Sequence, residues 1–313
     1  MDFSALIKKS FDIAWHNRVL WLFGFLAGGA SGVGMNSGGF NFSFSAPSSW
    51  EKPSEKANQV LGITDPSTGA ILDNTLILII LIFVLVVLIL VLVGIFISNW
   101  ASAALVYSIL NRNQARPTFG VGARAGLKYW WKFWLLTAIL GLFIFAFLLM
   151  LALPAILLFF SNMKPAAIAY GIVAFMVFII AMFVIAVAAS LIISIAQRLI
   201  VHKNTGVLES IRLSGGLIKK YLGESVLTYL VAIGLNFAAG FAALIALLPI
   251  GLVLFIVFMI GMATGGIWTG IIVAAVIGIP ALILIFAASG FWNAFNGAYW
   301  TLFYEHLASK EGW

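Results

Sequence analysis

The chain alternates short segments of helical hydrophobic periodicity with long apolar segments. The clearest periodic segment ends at Trp134. Its basic residues recur every fourth position, and its apolar residues fall at i, i+3, i+4 and i+7. The basic residues are Arg124, Lys128 and Lys132, and the apolar residues are Leu127, Trp130, Trp131 and Trp134. Cations near a membrane surface gain about 1 kcal/mol each from anionic head groups, and tryptophan prefers the interface. The pattern therefore predicts a basic helix that lies on the membrane and leads into it.

Two further segments have the same character. Residues 2 to 18 place Lys8 and Lys9 opposite an apolar arc that contains Leu6 and Phe11. Residues 207 to 222 place their basic side chains opposite Leu208, Ile211 and Leu222, and these basic side chains are Arg212, Lys219 and Lys220. Each segment predicts an amphipathic interfacial helix that precedes a membrane span.

The first two apolar runs differ in length. Residues 19 to 34 place Gly24, Gly28 and Gly32 on one helical face, and small residues at this spacing let another helix approach closely. Residues 74 to 111 contain no charge. A helix of this length reaches about 55 Å, which exceeds the hydrocarbon core of about 30 Å. We therefore expect its end to project beyond the membrane.

The remaining apolar sequence predicts four more spans. Residues 133 to 161 form the third, and residues 166 to 197 form the fourth, which ends at Arg198 and Lys203. All charged residues then lie in loops, interfacial segments or helix ends. Between Glu224 and Glu305 the chain is again uncharged, and this stretch is long enough for two crossings. We expect the turn of this hairpin within residues 261 to 270.

The predicted fold is all-α: a polytopic membrane protein with six transmembrane helices in three hairpin repeats, each preceded by an amphipathic interfacial helix. The whole chain forms one integral membrane domain. Its pseudo-repeats are residues 1–111, 112–202 and 203–313, and residues 35–73 form an outer loop. The repeat is supported by LTAI at Leu136 to Ile139, which matches LVAI at Leu230 to Ile233.

Composition agrees with a membrane protein. Of the 313 residues, 63% are hydrophobic and only 9% are charged, whereas soluble domains contain about 25% charged residues. The net charge of +7 does not indicate nucleic acid, because the basic residues flank apolar spans. The chain contains no cysteine, which excludes disulfides, thiolate metal sites and cysteine nucleophiles.

The distribution of basic residues predicts the orientation. Of the 17 lysines and arginines, only Lys52, Lys56 and Lys164 fall on the side away from the termini. We therefore expect both termini in the cytoplasm and the protein in the inner membrane. An alternative is that a secretory signal peptide occupies roughly residues 1–30, because a short apolar run from Val19 is followed by small residues near Ala30.

No catalytic, cofactor or metal constellation is found in the sequence. The three histidines His16, His202 and His306 are isolated from one another, and no Gly-rich phosphate motif is complete. We expect neither enzymatic activity nor a bound cofactor.

Buried polar residues leave two possibilities open. Four asparagines could line a polar pocket, or they could make ordinary hydrogen bonds between helices, worth about 0.6 kcal/mol each. These asparagines are Asn99, Asn236, Asn293 and Asn296.

Two functions fit these features. The first is a non-enzymatic protein that organises or binds anionic inner-leaflet lipid, or a membrane protein partner, through its basic interfacial helices. The alternative is a permease or transporter subunit for a lipid-like or weakly polar solute.

Two stretches carry a family resemblance. ALIKKSFDIAWHNRVLWLFGFL at residues 5–26 and FWNAFNGAYWTLFYEHL at residues 291–307 resemble the six-helix bacterial inner-membrane proteins of the YciC type. Relatives of that type include the membrane domain found with some glycerophosphodiester phosphodiesterases. The resemblance implies a six-helix architecture and no catalytic residue, because the phosphodiesterase chemistry belongs to a separate soluble barrel that this chain lacks.

Overall fold

The computed structural model describes residues 2–29, 74–113, 117–160 and 164–313. Within this part every regular element is a helix, which agrees with the predicted all-α class. The predicted outer loop at 35–73 and the glycine at position 32 lie outside the described residues. The helices are α1 (Phe3–His16), α2 (Val19–Gly29), α3 (Asn74–Leu110), α4 (Phe119–Phe160), α5 (Lys164–His202), α6 (Val207–Lys220), α7 (Leu222–Gly265) and α8 (Ile267–Lys310).

Five helices are long and apolar enough to cross a membrane: α3, α4, α5, α7 and α8. The apolar helix α2 is shorter. The chain is therefore a multi-pass membrane protein. The most apolar stretches of the five helices are largely exposed within the chain, as expected for side chains that face lipid.

The chain divides into two compact units. One unit spans residues 41–95, and its described part is the first portion of α3, where side chains from Leu78 to Val93 are exposed. The other unit contains the rest of the chain. The contacts reported below lie within this second unit.

The predicted hairpin between the last two spans is confirmed. Helix α7 ends at Gly265, and α8 begins at Ile267. The single residue between them, Gly266, has φ of 81°. This left-handed conformation is open to glycine and strained for other residues. The turn lies inside the range that the sequence indicates.

The predicted interfacial helix at Arg124 to Trp134 is not a separate element. Helix α4 is continuous from Phe119 to Phe160 and contains both this segment and the third span. The segment from Lys128 to Leu136 contains no glycine, proline or capping residue, so nothing interrupts the backbone hydrogen bonds. By contrast, α1 and α2 are separated at Asn17, whose side-chain Nδ2 donates to the carbonyl of Ile13 at 2.8 Å. Helices α6 and α7 are separated at Tyr221.

Buried side chains concentrate at one end of the second unit. The C-terminal thirds of α3, α5 and α8 form the centre of this core, and α1, α2 and α6 contribute residues to it. Helices α3 and α5 run in the same direction as α8, since Arg112 and His202 contact Glu305 and Tyr304 of α8, respectively. Helix α7 runs antiparallel to α8. We call this region the polar-end core, because the charged residues at the ends of these helices surround it.

The predicted close approach at α2 is confirmed, with α8 as the partner helix. A Cβ atom added at Gly24 would collide with the backbone of Gly290 and of Ala294. One added at Gly28 would collide with the amide group of Asn293. Glycine at these positions lets the two backbones pack directly against each other.

Candidate functional site

An arginine lies inside the polar-end core. Arg198 is only 4% exposed and is held between α5 and α8. Its guanidinium donates to the carbonyl oxygen of Ser194 at 2.7 Å and to that of Gly297 at 3.2 Å. It also donates to the side chains of Gln197 and Thr301.

The acceptors around Arg198 are neutral. No carboxylate among the described residues forms an ion pair with it. A buried charge is costly unless its hydrogen-bonding groups are satisfied, and here four neutral oxygens perform that task. Arg198 therefore joins α5 to α8 by hydrogen bonds alone.

The sequence interpretation put Arg198 at the end of a span, and the structure adds that its side chain is buried between two helices. Helix α5 continues to His202, so Arg198 lies one turn inside the helix with α8 packed against it. Sequence periodicity could not reveal this, because a basic residue at the end of an apolar run is typical of a membrane boundary. In the sequence, the nearby polar residues Ser194 and Gln197 were the only indication that Arg198 has hydrogen-bond partners within the protein.

A second arginine links α3 to α8. Arg112 Nη1 lies 2.7 Å from Glu305 Oε1, and Nη2 lies 2.8 Å from Oε2. This two-point geometry is the strongest form of the arginine and carboxylate contact. Arg112 also donates to the carbonyl of Ile109 at 2.9 Å, so it closes the C-terminal end of α3.

Two contacts join α7 to the C-terminal end of α8. Glu224 Oε1 accepts from Lys310 Nζ at 2.5 Å. Glu224 Oε2 lies 3.3 Å from His306 Nε2. Glu224 Oε2 and His306 Nε2 are both buried, and their contact does not have the geometry of a hydrogen bond.

The residue after α8 holds the end of α6. Glu311 accepts from Lys220 Nζ at 2.6 Å and from the Tyr221 hydroxyl at 2.9 Å. The hydrogen bond from Lys220 lowers the pKa of Glu311, and the hydrogen bond to Glu311 raises the pKa values of Lys220 and Tyr221. Lys203 Nζ also stands 3.1 Å from the ring centroid of Trp313. We call these contacts of residues 310–313 the C-terminal clamp.

The predicted interface lysines and arginines divide into two groups. Two of them are engaged: Lys220 in the clamp, and Lys132, which donates to Asn204 Oδ1 at 3.1 Å and to the Thr205 carbonyl at 3.2 Å. The others are exposed and form no hydrogen bond or ion pair with the described residues; they are Lys8, Lys9, Arg124, Lys128, Arg212 and Lys219. Lys128 lies 5.1 Å from the ring of Tyr129.

The predicted tryptophans form a short aromatic row on α4. Trp131 contacts both neighbours, with ring centroids 5.4 Å from Trp130 and 4.7 Å from Trp134. Trp130 also meets Phe96 at 4.9 Å. Trp131 is exposed, whereas Trp130 and Trp134 are half-buried.

The four asparagines do not form one group. Asn236 Oδ1 accepts from Asn296 Nδ2 at 3.2 Å and from Trp292 Nε1 at 3.0 Å, so these residues join α7 to α8. Asn293 instead lies against α2, where its Nδ2 donates to the Ser289 carbonyl at 3.1 Å and its buried Oδ1 has no donor. Asn99 is half-buried on α3.

The three histidines stand apart from one another. His16 Nδ1 lies 2.9 Å from Asp12 Oδ1, and His202 Nδ1 lies 2.9 Å from the Tyr304 hydroxyl. His306 faces Glu224. Each histidine ring therefore faces a different residue.

These features define a polytopic helical membrane protein with a packed polar-end core. The chain belongs to the family of unknown function DUF7544, whose family model matches residues 14–304. No curated protein and no solved structure matches the chain. The resemblance of the sequence to the YciC type stays a prediction.

Proposed function

We propose that this protein is a non-enzymatic membrane protein that binds anionic lipid of the inner leaflet through its unpaired basic side chains. The supporting observation is an imbalance of charge partners in the described residues. Glu224, Glu305 and Glu311 are engaged with lysine or arginine. The exposed cations named above form no ion pair with a carboxylate of the described residues, which leaves them available to phosphate groups.

A topology of six spans in three hairpin repeats forms part of this proposal. The five long helices supply five spans, and the apolar run that starts with α2 supplies the sixth. Helices α1 and α6 each precede an apolar helix, which supports an interfacial helix at the start of the first and third repeats. In the second repeat the corresponding segment is the first part of α4.

The proposed orientation places both termini in the cytoplasm of a cell with an inner membrane. The basic residues of α1, α6 and the start of α4 then lie on the same, cytoplasmic side of the membrane. This agrees with the tendency of lysine and arginine to remain on the cytoplasmic side. Lipid is the partner that this arrangement fits, and another membrane protein could share the same surface.

Lipid preference in reconstituted vesicles tests the proposal. The variant exchanges unpaired cations for glutamate: Lys8→Glu, Lys9→Glu, Lys128→Glu, Arg212→Glu and Lys219→Glu. We expect the enrichment of phosphatidylglycerol around the protein to fall several-fold and the remaining enrichment to lose its salt dependence. Exchange of the same lysines for arginine and of Arg212 for lysine is the matched control. Unchanged enrichment in the glutamate variant contradicts the proposal.

A permease for a weakly polar solute is the second candidate function. One observation favours it: Asn293 Oδ1 is buried without a donor, and a bound solute could supply one. The test is solute flux into vesicles that contain Asn293→Leu or the native protein. Equal flux rules out this site.

A further inference from the structure

Four aromatic rings join α1 to α2 and α8. Phe291 is the centre of this group. Its ring centroid lies 5.3 Å from that of Phe11, 5.8 Å from Trp15 and 5.5 Å from Trp21, each in an edge-to-face arrangement. Phe11 and Trp15 also stack on each other at 5.7 Å. The rings fix α1 at the height of Phe291 along α8.

The outer side of α1 combines aromatic and basic side chains. Its inner face is buried through Leu6, Ile13 and Ala14. Phe11 and Trp15 nevertheless remain 47% and 54% exposed. Lys8 and Lys9 are exposed beside them and have no partner among the described residues. Aromatic rings next to free cations are typical of a segment at the membrane interface.

The height of Phe291 matches the edge of a bilayer. Exposed apolar side chains on α8 run from Ile267 to Phe286, and the side chains after Gly290 are mostly buried by protein. Measured along the helix, Phe291 lies about 36 Å from Ile267. A bilayer has about 30 Å of hydrocarbon and about 40–45 Å in total. If the turn at Gly266 lies at one interface, Phe291 lies at the other.

Helix α6 lies far from that height. Its last residue, Lys220, is bound to Glu311, which follows Phe291 by about 30 Å of helix. Surface attraction to anionic lipid falls off within a Debye length of about 8 Å. The cations at this end of α6 are therefore beyond the reach of head groups in this placement.

We propose that α1 is the lipid anchor of this protein, with Phe11 and Trp15 among the head groups and Lys8 and Lys9 against anionic phosphates. The C-terminal end of α6 and the clamp stand in the aqueous phase. This inference rests on the proposed lipid binding and narrows it: between the two short amphipathic helices, α1 contacts the lipid and α6 does not.

Depth measurement with single nitroxide labels tests the placement, and the native chain helps because it contains no cysteine. The two variants are Trp15→Cys and Lys219→Cys, both in vesicles of phosphatidylcholine and phosphatidylglycerol. We expect the label at position 15 to collide with oxygen more than with a water-soluble nickel complex, and the label at 219 to show the reverse.

Equal depth at the two positions overturns the inference. That result would mean that the bilayer covers the exposed apolar residues Val226 and Leu230 of α7 and reaches α6. A label at position 15 that is fully accessible to nickel also overturns it.

Paired charge reversals separate this inference from the general proposal. Lys8→Glu with Lys9→Glu removes two unpaired cations from α1, and Arg212→Glu with Lys219→Glu removes two from α6. We expect the α1 pair to lower phosphatidylglycerol enrichment at least threefold and the α6 pair to change it by less than a third. Helical circular dichroism verifies that both variants fold.

Two other outcomes of the paired charge reversals would overturn the assignment to α1. Loss of enrichment in the α6 pair alone overturns the assignment to α1 while lipid binding stands. No loss in either pair contradicts lipid binding at both helices and overturns the assignment, whatever the depth of the labels.

Discussion

Arg112 and Glu305 meet through two parallel hydrogen bonds of 2.7 and 2.8 Å, which join the end of α3 to α8. The Arg112 side chain is 11% exposed and that of Glu305 is 35% exposed. Partial burial with two-point geometry makes this contact stronger than an ordinary surface ion pair. We expect it to maintain the packing of the polar-end core.

A double-mutant cycle measures this contact. Arg112→Ala and Glu305→Ala should each lower stability, and the double variant should lose less than the sum of the two. We expect a coupling free energy of about 1–2 kcal/mol, because Glu305 remains partly solvated. Equilibrium unfolding in mixed detergent micelles supplies the values. Additive losses would show that the pair does not couple α3 to α8.

Removal of the Arg198 charge should lower the stability of the protein less than removal of the side-chain volume. Arg198→Ala opens a cavity between α5 and α8, and we expect a loss of about 3 kcal/mol. Arg198→Met fills much of that space without a buried charge, and we expect a change of less than about 1 kcal/mol. Thermal unfolding of the two variants measures the difference. If Arg198→Met lowers stability as much as Arg198→Ala, the hydrogen bonds of the guanidinium contribute more to stability than the packing of the side chain.

The contact between α2 and α8 should not tolerate a methyl group. Gly24→Ala drives Cβ into the backbone of Gly290, and overpacking of this kind costs about 1–3 kcal/mol. Gly141→Ala on α4 is the matched control, because no atom lies within 4 Å of the added Cβ. Thermal stability in detergent is the readout. Equal melting temperatures for the two variants would show that α2 is not packed as described.

The C-terminal clamp should open at both acidic and alkaline pH. Because the pKa of Glu311 is lowered in the folded protein, its contribution is present above the unfolded pKa of about 4.3 and is lost as pH falls through the folded value. Because the pKa of Lys220 is raised, its contribution is present below about 10.4 and is lost as pH rises through the folded value. The clamp is therefore most stable between about pH 5 and pH 10.

Nitroxide mobility at Ile218→Cys reports this opening. In the native background we expect mobility to rise below about pH 4 and above about pH 10. Glu311→Gln should give high mobility across the whole range. A native profile that is flat with pH would contradict the assigned role of Glu311.

Hydropathy and helical periodicity predicted much of the fold. Asn74–Leu110 and the turn at Gly266 follow from charge-free length and glycine content, which are local properties. The spacing of Gly24 and Gly28 predicted a close helix approach, although it could not identify α8 as the partner. The break between α6 and α7 at Tyr221 was also predicted to within two residues, because the amphipathic pattern ends at Leu222 and a charge-free run follows Glu224.

Candidate site residues were harder to predict. Exposed lysines such as Lys8 and Lys219 follow from an amphipathic pattern. The engagement of Lys132 by the loop at Asn204 depends on two helices that are distant in sequence. The burial of Arg198 could not be predicted either, because it depends on the packing of α8 against the end of α5.

The orientation of the basic residues is the claim on which the lipid assignment depends. A membrane-impermeant maleimide applied to Lys128→Cys in sealed membrane vesicles tests it most directly. The account predicts labelling in inside-out vesicles and none in right-side-out vesicles. Labelling from the right-side-out face would place the basic residues on the opposite leaflet and contradict the account.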